Sequence, residues 1–203
     1  MGGRGSVSRS TLEKWAAGDI YGAGGGEPSE RLFNAPWQRY ENGNQVSVGA
    51  TLEQAESRIR ANSFETGIIV DRDGFVTDAF KGGASSVSFG DTPVSHFEGA
   101  TITHNHPSGV PIFSVADLAT PALYSYDGGT LAGIRATTSN NGTFSLRQRG
   151  NSPDWMGLAV SWERARTNKS ITRRKGQERI DAAARWFETA APKWGFEFVY
   201  ERG

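Results

Sequence analysis

The stretch Thr103-His104-Asn105-His106-Pro107, with the residues that follow it as far as Asp117, decides how the rest of the chain is interpreted. Residues 100–103, Ala-Thr-Ile-Thr, predict a short strand, and residues two apart on a strand project from the same face. His104 and His106 can therefore direct both imidazoles toward one point. Pro107 has no N–H group for a strand ladder and ends the strand.

A helix is predicted from Ser114 to about Ala122, after a turn at Ser108-Gly109-Val110-Pro111. Ser114 and Asp117 are three residues apart, so they share one helix face near its N-terminus. Two neutral imidazole nitrogens and one carboxylate, with a fourth position left open, form the ligand set of a catalytic zinc site. The sequence therefore predicts an active site at this strand, turn and helix.

The pattern His-x-His-Pro, six residues, Ser-x-x-Asp resembles the JAMM motif of the JAB1/MPN family, which contains zinc isopeptidases and peptidases. That family also has an upstream glutamate at the start of a core strand, and the segment 64–70, Phe-Glu-Thr-Gly-Ile-Ile-Val, is similar to it. The resemblance covers roughly Val46 to Arg149. It implies that Glu65 is the general base, that Ser114 donates to the oxyanion, and that His104, His106 and Asp117 bind Zn²⁺.

The resemblance also implies an α/β fold, with a mixed β-sheet and flanking helices of the JAB1/MPN, cytidine-deaminase-like kind. Local patterns agree with a mixed sheet. They predict helices over 51–62 and 114–122, strands over 67–70, 75–80, 85–89 and 100–103, and a hairpin of strands 131–138 and 143–149.

We predict three regions in the chain. Residues 1–45 form a Gly-rich N-terminal extension, with a short helix expected from the capping pattern at Ser10 as far as Ala17. Residues 46–150 form the catalytic domain. Residues 151–203 form a C-terminal helical appendage, in which Ser152-Pro153-Asp154 begins one helix, residues 180–187 belong to a second, and 196–200 form a terminal strand.

Composition limits the possible partners and compartments. The chain has 203 residues with 22 basic and 22 acidic side chains, and the zero formal charge gives no argument for nucleic acid or for an anionic membrane. We expect neither partner. The absence of cysteine excludes disulfides and thiolate chemistry. The sequence has no apolar run of about 20 residues and no signal-peptide core, so we expect a cytoplasmic protein.

Several alternatives stay open at this point. Glu53, Glu56 and Glu98 are rivals of Glu65 for the role of base, and His96 is expected to be a satisfied surface residue. The Arg-rich residues 164–179 form either a solvated helix face or a docking surface for an acidic partner or nucleic acid. A non-catalytic MPN-type scaffold is the alternative function. A zinc deaminase is disfavoured because its Pro-Cys-x-x-Cys ligands are missing, and the letters His-Asn-His match an HNH nuclease only by coincidence.

The spacing of the motif also bears on the substrate. Only 39 positions separate Glu65 from His104, and only 14 separate Asp117 from the predicted strand at Leu131. Neither interval leaves room for the ubiquitin-gripping insertions of eukaryotic deubiquitinating members. The chain therefore resembles compact bacterial and phage members of the family. We expect a protein or peptide substrate, either a conjugate of a ubiquitin-like protein or a phage or bacterial precursor.

Overall fold

The computed structural model describes residues 7–16, 30–31, 49–89, 92–150 and 152–203. A seven-stranded mixed sheet crosses this part of the chain in the order β1-β3-β2-β4-β5-β6-β7. Strands β4 and β5 are parallel, and the other neighbouring pairs are antiparallel. The strands are β1 (Glu30–Arg31), β2 (Thr66–Val70), β3 (Val76–Lys81), β4 (Ala100–Asn105), β5 (Leu131–Thr137), β6 (Thr143–Gln148) and β7 (Phe196–Glu201).

Helices cover both faces of this sheet. They are α1 (Arg9–Ala16), α2 (Leu52–Ile59), α3 (Val115–Tyr126), α4 (Trp155–Arg166), α5 (Lys169–Thr172) and α6 (Gly176–Ala190). Helices α1, α3, α4 and α6 bury their apolar residues with Ile69, Ile102 and Phe144 in the larger core. Helix α2 packs on the opposite face, where Ile68 and Val70 join a smaller cluster. The prediction of an α/β protein with a mixed sheet and flanking helices is confirmed.

Strong local signals predicted most of these elements. Thr51 caps α2 with a complete capping box, in which its hydroxyl accepts from the Gln54 N–H and the Gln54 side chain accepts from the Thr51 N–H. Residues 71–74 turn between β2 and β3, and β5 and β6 form the expected hairpin. The terminal strand is also confirmed, as β7 pairs with β6 along its whole length.

The predicted strand at 85–89 is wrong. The Gly83 N–H donates to the Ser86 carbonyl in a turn, and the chain then crosses over Gly67. A Cβ built on Gly67 would lie 2.9 Å from the Phe89 ring and 3.0 Å from Val87. Side-chain packing over a bare stretch of β2 therefore takes the place of strand pairing, and periodicity gave no indication of it.

Two helix starts also differ from prediction. Helix α4 is capped by Asp154, whose Oδ1 accepts from the Gly157 N–H at 2.7 Å, so Ser152 is not the cap. Helix α1 begins at Arg9 with the Ser8 hydroxyl accepting from the Thr11 N–H, two residues before the predicted start. The rest of the predicted extension at 1–45, apart from 30–31, lies outside the described residues.

The C-terminal residues 152–203 contribute to the same core as the motif helix. Trp162 of α4 is 1 % exposed, and its indole N–H donates to the Phe113 carbonyl at 2.8 Å, one residue before the cap of α3. This bond and strand β7 attach the segment to the region around the motif. Of the helices in the described ranges, none combines the length and the apolar character that a membrane span requires.

Candidate metal centre

The two motif histidines lie at the end of β4, next to β2. Gly67 of β2 is opposite His104 in the antiparallel register, so Glu65, two residues earlier, falls opposite His106. Residues opposite each other project from the same face. The sheet therefore directs Glu65 and both imidazoles to one side, and Phe89 and Val87 pack over Gly67, which has no side chain, between them.

The structure brings the three predicted ligands together. His104 Nε2 lies 2.8 Å from His106 Nε2 and 3.2 Å from Asp117 Oδ1, and His106 Nε2 lies 3.6 Å from Asp117 Oδ2. The side chains are 5 %, 10 % and 14 % exposed, in the order His104, His106 and Asp117. One ligand atom from each residue can be chosen so that all three lie within 4.8 Å of one another. This group could hold a metal ion.

The distances fit a tetrahedral zinc site. Ligand atoms about 2.0–2.1 Å from a tetrahedral zinc lie about 3.3–3.4 Å from each other. The separations of 2.8 Å between the imidazoles, 3.2 Å from His104 to Asp117 Oδ1 and 3.6 Å from His106 to Asp117 Oδ2 lie on both sides of that value. The donor set, two imidazole nitrogens and one carboxylate oxygen, is also one that zinc accepts. Small movements of the side chains would therefore form the coordination shell.

The cap of α3 orients the carboxylate of Asp117. Ser114 is the N-cap, and its hydroxyl accepts from the Asp117 N–H at 3.1 Å, while Asp117 Oδ2 accepts from the Ser114 N–H at 2.6 Å. This capping box holds one carboxylate oxygen at the helix start. The other oxygen, Oδ1, is left facing His104. One local motif thus starts the helix and presents a ligand.

His106 is oriented from its other ring nitrogen. Nδ1 lies 2.7 Å from the Val110 carbonyl, an acceptor only, so Nδ1 carries the proton and Nε2 faces the ligand group. A hydrogen bond of this kind is the usual way in which a ligating histidine is held in one tautomer. Gly109, at φ 72°, makes the turn that returns Val110 to the ring.

Electrostatics in this group favour charged forms. Burial would raise the pKa of Asp117, but the adjacent imidazoles outweigh it and hold that pKa well below its usual range. Burial lowers the pKa of His106, yet the hydrogen bond to Asp117 and the nearby negative charges raise it to about 9. Without a metal, the ionised Asp117 thus stabilises a protonated His106. A divalent cation would replace that proton.

Glu65 is a buried carboxylic acid beside these ligands. The residue is 7 % exposed. Burial raises its pKa, the two imidazoles oppose that shift, and the charge of Asp117 adds to it. No hydrogen bond joins its carboxylate to another group in the described residues. Desolvation of a carboxylate with little direct stabilisation favours its protonated form and so raises the pKa.

The rival carboxylates lie elsewhere. Glu56 of α2 is on the opposite face of the sheet, where Arg135 binds both of its oxygens at 2.6 and 3.0 Å and Thr103 donates to one at 2.8 Å. Glu53 is exposed on α2, and exposed Glu98 accepts from the Thr130 hydroxyl at 2.8 Å. Glu65 is the one of the four glutamates considered that lies beside the ligand group, whose charges act on its pKa.

His96 is not part of the ligand group. It lies in the 3₁₀ turn Val94–Phe97, and its Nδ1 is 2.9 Å from Oδ2 of buried Asp78. Its side chain is 43 % exposed. The expectation of a satisfied surface histidine is therefore confirmed.

Two contacts of the site were missed in the sequence, because both depend on how the chain folds back. The Val110 carbonyl, four residues after His106, could have been suspected from the glycine turn between them. Asn105, between the histidines, is fully buried and bonds to the backbone on both sides of Glu65. No sequence pattern indicated those partners.

No protein-family model, curated protein or solved structure matches this chain.

Proposed function

We propose that the protein is a zinc-dependent metallopeptidase of the JAMM type, which hydrolyses a peptide or isopeptide bond with an activated water. One observation carries the proposal: His104, His106 and Asp117 present ligand atoms within 4.8 Å of one another, beside the buried acid Glu65. A bare metal-binding site has no need for a desolvated carboxylate next to its ligands. A hydrolytic site needs one for proton transfer.

His104, His106 and Asp117 are the residues that would hold the zinc ion. When bound, zinc supplies Lewis acidity, which polarises a carbonyl and lowers the pKa of a coordinated water from 15.7 to about 7. The chain's own contribution is the fixed geometry of the ligands. Val110 keeps the Nε2 of His106 available, and Ser114 holds the carboxylate of Asp117.

Glu65 acts as the general base and then as the general acid. Its carboxylate accepts a proton from the attacking water and returns that proton to the leaving amine. Burial raises its pKa above the ordinary value of a glutamate, the direction in which catalytic carboxyl groups are tuned. Gly67 is opposite His104 in the sheet, so the Glu65 side chain, two residues earlier, projects from the same face as the imidazoles and toward the ligand group.

Ser114 donates a hydrogen bond to the oxyanion of the tetrahedral intermediate. Its hydroxyl oxygen already accepts from the Asp117 N–H, and this bond uses only a lone pair. The hydroxyl proton is left for a substrate oxygen, because a serine hydroxyl can donate and accept at once. Ser114 is exposed, so an arriving carbonyl can reach it. Capping and catalysis are compatible in this residue.

The order of the elements supports a JAB1/MPN-type domain. A helix, α2, precedes the strand that follows Glu65, an antiparallel β3 returns, and β4 carries the histidines. Helix α3 then supplies Asp117, and β5 pairs in parallel with β4. The intervals of 39 positions from Glu65 to His104 and 14 from Asp117 to Leu131 fit a compact peptidase acting on a ubiquitin-like conjugate or on a precursor protein.

The experiment is a cleavage screen with purified protein, using ubiquitin-like fusion proteins and quenched fluorescent peptides as substrates. The metal is first removed with a chelator and then restored with one equivalent of zinc. We expect cleavage that requires zinc and is absent in His106→Ala, which loses a ligand. A zinc-loaded protein that cleaves no member of either set would favour the alternative, an interaction module without catalysis.

A further inference from the structure

Asn105 separates the two histidines in sequence, and its side chain projects to the other face of the sheet. The residue is fully buried, with 0 % exposure. Its carboxamide oxygen accepts from the Thr66 N–H at 2.7 Å, and its NH₂ group donates to the carbonyls of Asn62 at 3.3 Å and Phe64 at 3.0 Å. All three partners are backbone groups of the connection between α2 and β2.

These bonds are made to the backbone on both sides of Glu65. The Phe64 carbonyl belongs to the peptide group before Glu65, and the Thr66 N–H belongs to the peptide group after it. Glu65 itself bonds through its N–H to the Gly83 carbonyl at 2.7 Å, and its carbonyl accepts from the Gly82 N–H at 2.8 Å. One side chain of the histidine strand thus holds both peptide groups that determine where the Glu65 side chain begins.

An asparagine is not what strand packing alone would select at this position. Asparagine is depleted in strands, and a buried amide is costly unless each of its polar atoms has a partner. Here the oxygen and the NH₂ group both have partners, and no water is needed to complete them. The bonds join two segments 39 positions apart, and those segments carry the proposed base and the proposed ligands.

We propose that Asn105 is a positioning residue, which fixes Glu65 at a set distance from the metal ligands. The inference rests on the proposed function, since it concerns the base of that reaction. His104, Asn105 and His106 are consecutive, so the imidazoles project on one side of β4 while the amide holds the backbone of the base on the other. Three consecutive residues of one strand thus determine where the ligands lie relative to the base. Displacements of about 1 Å at such sites can cost about 10²-fold in rate.

The test uses the full chain loaded with cobalt(II), whose visible absorption follows the protonation state of the groups around the metal. The pH midpoint of that spectral change is measured for wild type, Glu65→Gln, Asn105→Ala and the double variant. Asn105→Thr is a second substitution that retains strand propensity in case the alanine variant folds poorly. Ile68→Ala is the matched control, because Ile68 is a fully buried residue of β2 on the same sheet face and contributes no side-chain hydrogen bond.

We expect Glu65→Gln to shift the midpoint by about one pH unit. Asn105→Ala and Asn105→Thr should shift it in the same direction, with cobalt still bound at one equivalent. The double variant should match Glu65→Gln alone, because Asn105 acts only through Glu65. Ile68→Ala should retain the wild-type midpoint in spite of its lower stability.

Three results would overturn the inference: a wild-type midpoint in both Asn105 variants, full additivity in the double variant, or an equal shift in Ile68→Ala. An unchanged midpoint in Glu65→Gln would instead refute Glu65 as the base, and the positioning of that base would be refuted with it. The three results that overturn the role of Asn105 leave the proposed function standing. An unchanged midpoint in Glu65→Gln contradicts the proposed function as well.

Discussion

The two faces of strand β4 each bury a glutamate, and the two environments are opposites. On one face Glu56 has both oxygens bound by the Arg135 guanidinium and accepts from the Thr103 hydroxyl, with Arg60 at 3.6 Å. On the other face Glu65 is buried beside two histidines and an aspartate, and its carboxylate accepts no hydrogen bond from the described residues. The first carboxylate is held in an ion pair with Arg135, and the second lies beside titratable groups and is the general base that we propose.

The difference shows that burial alone does not separate a carboxylate held in an ion pair from the proposed general base. Glu56 is 2 % exposed and Glu65 is 7 % exposed, so exposure does not separate them. What separates them is the partner: a permanent cation in bidentate contact for Glu56, and titratable groups for Glu65. Replacing each glutamate should therefore give different results in a predictable way.

Glu65→Gln should give the largest effect. The amide cannot accept a proton from water, so turnover on a substrate found in the cleavage screen should fall by about 10²–10⁴-fold. Zinc content, measured by plasma emission spectrometry, should stay at one equivalent because no ligand is lost. A variant that loses zinc, or that retains full turnover, would show that Glu65 has been given the wrong role.

Glu56→Gln should lower the stability of the protein and leave its turnover unchanged, the reverse of Glu65→Gln. Removing the charge of buried Glu56 leaves partly buried Arg135 with exposed Glu201 as its carboxylate partner, and breaking a buried pair typically costs about 3–5 kcal/mol of stability. Urea denaturation should show that loss, while zinc affinity and turnover per folded molecule stay at the wild-type level. If Glu56→Gln lowered turnover more than stability, the contrast between the two faces would be false.

Ser114→Ala tests the residue that caps α3 beside the ligand group. Loss of an oxyanion donor should lower turnover by about 10²–10³-fold, and loss of the helix cap should cost about 1 kcal/mol. Ser114→Thr retains both the hydroxyl and the cap, so it should recover most of each. Equal turnover in the alanine and threonine variants would leave Ser114 as a cap alone.

The pH dependence should also separate the two faces. The pKa of His106 is raised to about 9 from its ordinary 6.5, so its pairing with Asp117 stabilises the metal-free protein below pH 6.5, and this contribution is lost as the pH rises through 9. Zinc competes with that proton, so zinc affinity should rise about tenfold per pH unit up to pH 9.

Arg135, on the face that carries Glu56, should contribute nothing to this pH dependence. Burial lowers the pKa of Arg135, but Glu56 and Glu201 raise it above its ordinary value, so the guanidinium stays charged throughout. Calorimetric titration with zinc in buffers of different ionisation enthalpy counts the released protons. A pH-independent affinity between pH 6.5 and 9 would contradict the pairing of His106 with Asp117.

The sequence predicted the features that depend on neighbouring residues. The spacing of His104 and His106, the capping pattern of Ser114 with Asp117, and the β5–β6 hairpin each follow from local geometry. Features that depend on pairing between distant segments were not predictable. Arg135 reaches Glu56 across 79 positions, and the Thr66 N–H reaches Asn105 across 39. Such contacts require the register of strands β2, β4 and β5, which periodicity does not specify.

The most direct measurement is a crystal structure of the protein grown with zinc, with anomalous data collected on both sides of the zinc absorption edge. We predict one anomalous peak bound by His104 Nε2, His106 Nε2 and an Asp117 oxygen at about 2.0–2.2 Å, with Glu65 on the same side of the sheet. Zinc bound elsewhere, or these three side chains directed apart around an empty centre, would contradict it.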